Sequence, residues 1–126
     1  MGGIKTYLPI GLIAFLTLTN PAIVKSDIVN PLYHFASCAG RLSAQMEHEW
    51  LLAKNEPSMT EDHREAMLDL LQATMRDGDG RQVLAWRIDA KAAHASLLTR
   101  ATFKGDSWAA QRAIQLVQAC TSIMMS

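Results

Sequence analysis

Residues 30–56, NPLYHFASCAGRLSAQMEHEWLLAKNE, read as one long amphipathic helix. Asn30 is a good cap, and proline at the first helical position loses no hydrogen bond that it would otherwise make. From there Leu32, Phe35, Ala39, Leu42, Met46, Trp50 and Ala53 recur at three- and four-residue spacing, which predicts a single inward stripe with Trp50 in the core. Gly40 in mid-helix costs about 1 kcal/mol relative to alanine. Its place beside Cys38 predicts that a neighbouring helix approaches closely there. Pro57 cannot continue the helix, so the stretch ends near Asn55.

Upstream lies a leader. Met1–Lys5 is weakly positive, Thr6–Thr19 is almost wholly apolar, and Pro21 breaks the run. Val24-Lys25-Ser26 suits the small-residue rule of signal peptidase, so residues 1–26 read as a signal peptide cut after Ser26 and residues 27–126 as a single helical domain. The alternative is an uncleaved membrane anchor, against which Pro9 and Gly11 interrupt a run short for spanning. Without the leader the chain holds ten basic and twelve acidic residues, a net charge of −2. That balance offers no basic field for a nucleic-acid backbone and no polybasic run for an anionic membrane surface.

Downstream, Ser58 with Glu61 forms a capping-box pattern, and Met59, His63, Ala66, Met67, Leu70 and Thr74 trace the expected inner face of a second helix. Asp77-Gly78-Asp79-Gly80 is a connector; aligned as a calcium loop it would put Trp86 where a bidentate glutamate is needed. Arg81–Lys104 reads as a third helix with Leu84, Ile88, Ala92, Ala95, Leu98 and Thr102 inward and Gly105 as its stop. Asp106 or Ser107 caps a fourth, whose stripe is Ala109, Ala113, Leu116, Val117, Cys120 and Met124. With 49% hydrophobic but only 6% aromatic residues, the composition favours helices over strands.

Four amphipathic helices on short connections predict an all-α, up-down-up-down four-helix bundle. The two cysteines supply a register check. Cys38 lies seven residues beyond Pro31 and Cys120 six before Ser126. In that topology they sit about 10.5 and 9 Å from one shared end. A Cys38–Cys120 disulfide joining helices one and four is therefore expected, and export to an oxidising compartment is where such a bond persists.

The chain lacks G-x-S-x-G, H-E-x-x-H, C-x-x-C, phosphate-binding glycine loops and the E-x-x-H pairs of di-iron bundles. No catalytic residue, metal site or cofactor is assigned on that basis. Met46-Glu47-His48 has the donors of a copper site, but methionine on a core stripe fills gaps more often than it binds metal. Trp86 and Trp108 lie off their helices' stripes; each is either a partner-contact residue or a ring laid across a groove between helices. Two polar residues point inward. Glu49 falls between Met46 and Ala53, and His63 among Met59, Ala66 and Leu70, at nearly the same level in antiparallel helices. A buried carboxylate is costly unless paired, so a Glu49–His63 hydrogen bond is expected. Lys91 also points inward and is expected to snorkel.

Cys38-Ala39-Gly40-Arg41-Leu42-Ser43-Ala44 with a late Cys120 resembles small secreted helical proteins of bacteria, a group largely without assigned activities. The resemblance implies export and a disulfide-linked bundle, and it transfers no activity, cofactor or site. Two classes of function stay open. One is a non-enzymatic protein of the periplasm or a secreted one, binding another protein or an envelope component through a bundle face. The other is a small-ligand or metal-binding bundle that uses interior polar residues.

Overall fold

The structure, a computed structural model, describes Gly3, residues 30–52 and residues 58–125. The expected leader and its cleavage site, apart from Gly3, lie outside the described residues, as do Ala53, Asn55 and Pro57. Four helices follow in order: α1 (Pro31–Leu51), α2 (Met59–Thr74), α3 (Gly80–Phe103) and α4 (Ser107–Met124), with no strand among the described residues. No helix among them is long and apolar enough to cross a membrane.

The caps are those that the side-chain chemistry favours. Asn30 Oδ1 accepts from Tyr33 N at 3.2 Å, Ser58 Oγ from Thr60 N at 3.0 Å, and Asp106 Oδ1 from Ala109 N at 3.0 Å. Asp106, not Ser107, is the fourth cap, and its other oxygen takes Arg100 Nη2 at 2.7 Å. Those bonds, the backbone one first, hold the Asp106 carboxyl below its ordinary range. Gly105 ends α3 at φ +60°, a conformation in which a side chain would be strained.

The first helix is the centre of the molecule. It packs against all three others, most extensively α3, whereas no Cα atoms of α2 and α3 come within 8 Å of each other among the described residues. Ala36, Ser37, Cys38, Ala39 and Gly40 are buried consecutively, so α1 is covered on several sides and not along one stripe. At Gly40 the α3 backbone comes so near that an added Cβ would overlap the Arg87 carbonyl oxygen and lie 3.0 Å from Lys91 N. The close approach expected beside Cys38 is real.

Cys38 of α1 and Cys120 of α4 are bonded, with Cα atoms 5.5 Å apart, inside a core built with Ala36, Ala39, Leu42, Met67, Leu71 and Val83. Ser43 Oγ accepts from Arg64 Nε at 2.9 Å, and Glu49 meets Ser58 and Thr60, so α1 positions rise as α2 positions fall. Toward α3 they rise together: Gln45 meets His94 and His48 meets Thr102.

Three expected faces need correction. Trp50 is not core; it is 61% exposed. On α2 the buried residues are Met67 and Leu71, with Met59 and Leu70 exposed, so the inner face lies one residue on from the expected row. On α3 the buried residues are Val83, His94 and Leu98, while Leu84, Ile88, Ala92 and Ala95 face out and Thr102, although exposed, meets His48 of α1. The α4 stripe holds, with Ala109, Ala113 and Cys120 buried.

Candidate functional site

Opposite the disulfide, α1 and α4 part. Between the C-terminal half of α1 and residues Ala110 to Gln118 of α4 runs an open groove of about 960 Å³, floored by Leu98 and Ala101 of α3 and closed at one end by Ser58 and Glu61 of α2. Local sequence explains the opening. Ala101, Ala110 and Ala113 are too small to fill the space that Met46, Leu98 and Val117 hold apart. Its volume and its mainly apolar lining with a few polar groups are those of small-molecule sites.

Three of the polar lining groups, Gln45, Glu49 and Ser58, are hydrogen-bonded in series, and the series extends to Thr60 and His94 behind them. Glu49 Oε2 accepts from Ser58 Oγ at 2.7 Å, and its Oε1 from Thr60 Oγ1 at 3.0 Å and from Gln45 Nε2 at 3.4 Å. Because a carboxylate can only accept, Gln45 must present its amide nitrogen to Glu49 and its carbonyl to the other side. There Gln45 Oε1 meets His94 Nε2 at 3.1 Å, so the imidazole donates through Nε2 and carries a bare Nδ1. His94 is 1% exposed, and that Nδ1 is buried without a partner among the described residues. Burial pushes the His94 pKa down to about 4, and the nearby Arg41 and His48 charges act in the same direction. The ring is therefore a neutral donor at pH 7.

The expected site residues are distributed as follows. Glu49 does reach α2, but through Ser58 and Thr60, and no hydrogen bond joins it to His63 among the described residues. Two displacements account for this. The first helix ends at Leu51, so Glu49 lies two residues from its end and faces the first turn of α2. His63 lies off the row of α2 that faces α1, and it is half-buried. Lys91 keeps its head at the surface and pairs with Glu47 at 2.6 Å.

Met46 is buried, Glu47 pairs with Lys91, and His48 Nε2 hydrogen-bonds Thr102 Oγ1 at 2.9 Å, so these three consecutive residues do not converge. Among the described residues no group of three or more His, Cys, Asp or Glu side chains could hold a metal ion.

Trp86 is half-buried and stands edge-to-face with Tyr33, ring centroids 5.2 Å apart. Trp108 is 62% exposed, with the Arg100 guanidinium 5.6 Å from its ring centroid. His94 and the groove itself escaped sequence reasoning. A histidine one turn before Leu98 was the available signal, and it pointed to a row different from the one that the aliphatic residues trace. No protein family, curated protein or solved structure matches this chain.

Proposed function

We propose that the chain is an exported, non-enzymatic binding protein of the bacterial periplasm or envelope, and that the α1–α4 groove holds what it binds. In this reading the leader is removed after Ser26 and the four helices run up-down-up-down, stapled at one end and open at the other. The groove carries the proposal: about 960 Å³ of mostly apolar wall with a connected row of polar groups along one side. The disulfide supports export, because such bonds persist in oxidising compartments. The balanced charge supports a partner other than nucleic acid.

Thermal unfolding against a panel of apolar and amphiphilic compounds tests the reading. A compound present at a hundred times its Kd stabilises the folded form by about 2.7 kcal/mol. Ala110→Phe, which fills the groove from α4, should remove that gain. A panel without effect, or gains that survive Ala110→Phe, would refute it.

A second reading is favoured by Trp50 and Trp108, each more than half exposed although large aromatic rings usually anchor contacts. They would form the rim of a protein–protein contact at the open end of the bundle. Cross-linking from either position to one envelope protein, lost on Trp108→Ala, would support it over a small ligand.

A further inference from the structure

We infer that the groove selects an amphiphilic organic cation, a positively charged head group on an alkyl or aryl body. The inference rests on the groove being the binding site and adds the chemistry of its occupant.

Charge is the first observation. Among the described residues the lining includes two carboxylates, Glu49 and Glu61, and neither lysine nor arginine. The donors on Glu49 are the hydroxyls of Ser58 and Thr60 and the amide of Gln45, all neutral. The ion pairs seen among the described residues, Lys91–Glu47 and Arg100–Asp106, leave both groove carboxylates out. Neutral donors fix the position of Glu49 without cancelling its charge. The negative field at that end is therefore available to a ligand, and the apolar walls around it raise its strength above that in open water.

Aromatic placement is the second observation. Trp50 lines the same groove with most of its surface uncovered. Tryptophan offers the best aromatic face for an ammonium group, and aromatic faces are how quaternary ammonium ligands are recognised. The third is the apolar remainder. From that polar end the groove continues along Ala110, Ile114 and Val117 of α4 as far as Gln118, a mainly apolar wall that can cover an alkyl chain. An anion would meet two carboxylates, and a neutral amphiphile would gain no charge–charge attraction from them.

The test compares three probes with the same eight-carbon chain, octyltrimethylammonium, octanesulfonate and octyl glucoside, each titrated into the full-length protein below its micelle concentration. Binding is followed by backbone amide shifts at the groove. Octyltrimethylammonium should bind about tenfold tighter than octanesulfonate, the ratio that 1.4 kcal/mol gives. The preference should shrink as salt rises from 20 to 500 mM, roughly from a 20 Å to a 4 Å screening length. Glu61→Gln, at an exposed position where glutamine keeps the capping-box pattern, should reduce it, and Glu49→Gln should reduce it further.

Equal affinities for the cation and the anion, both abolished by Ala110→Phe, would overturn the inference while leaving the groove as the binding site. A cation preference that survives Glu61→Gln and Glu49→Gln together would overturn it as well. Absence of groove shifts with all three probes would overturn both the inference and the reading beneath it.

Discussion

Gly40→Ala should destabilise this protein although it improves a helix. Taken alone, replacing a mid-helix glycine with alanine gains about 1 kcal/mol of helix propensity. Here the new methyl would overlap the Arg87 carbonyl oxygen and lie 3.1 Å from Arg87 C and 3.0 Å from Lys91 N. These are backbone atoms, and no rotamer change removes them. Relief requires α1 and α3 to separate along the most extensive contact in the molecule. Overpacking typically costs 1–3 kcal/mol, and rigid neighbours put this site at about 3. The net loss is about 2 kcal/mol, or about 8–16 °C in Tm for a domain of this size. Urea unfolding of the oxidised protein measures it. Gly80→Ala is the control, because a Cβ at the first residue of α3 meets nothing within 4 Å and should leave stability unchanged or raise it. If Gly40→Ala matched or exceeded the stability of the parent, the helices would not approach as described, and the α3 register would be wrong.

Three further outcomes are expected. The His94 pKa is about 4 in the fold against 6.5 ordinarily, so the unfolded chain binds a proton that the folded one refuses. That stability is complete above pH 6.5 and declines as pH falls toward 4, by an amount on the order of 3 kcal/mol, and His94→Leu should flatten that part of a urea-midpoint profile. An unchanged slope in the variant would assign it to other groups. Replacing both Cys38 and Cys120 by alanine frees a loop whose ends are 82 positions apart, which the chain-entropy relation sets at about 4.5 kcal/mol; a measured loss under 1 kcal/mol would contradict it. Glu49→Ala removes the acceptor of Ser58 and Thr60 and should cost about 1–2 kcal/mol. Faster amide exchange confined to the first turn of α2 would show where the loss falls, and exchange unaltered there would refute the assignment.

Elements, caps and the disulfide were legible because each depends on residues close in sequence or on a simple count of levels. Asn30-Pro31, Ser58, Gly105 and Asp106 mark ends by chemistry that tertiary packing does not change. Faces were less legible, for a reason visible in α3. Its inward row runs through Val83, Arg87, Lys91, His94 and Leu98, three of them polar. Arg87 and Lys91 lend backbone to Gly40, Lys91 with its head at the surface on Glu47, and His94 is buried through its bond to Gln45. Leu84 and Ile88 look more like core and are exposed. The same disguise operates on α2, where Arg64 stands in the row of Met67 and Leu71 and is satisfied by Ser43. A stripe read from apolar residues alone selects the wrong row whenever a long cation or a bonded histidine occupies the right one.

The groove follows from how residue size is distributed along α1. Its N-terminal half presents Ala36, Ser37, Ala39 and Gly40, so neighbours close on it to backbone distance, and the disulfide lies in that half. Its C-terminal half presents Met46, His48, Glu49 and Trp50, which hold neighbouring helices off. On the facing side the first turns of α4 offer alanines at positions 109, 110 and 113, ahead of Ile114 and Val117. Large residues opposite the small ones would fill a core if the helices could shear together. The short α3–α4 connection, locked by Arg100 on Asp106, holds the start of α4 against α3. Held at both ends, α4 cannot slide inward over the alanines, and the space beside them stays open. The bonds that make this small domain stable are thus the same ones that keep its cavity from collapsing.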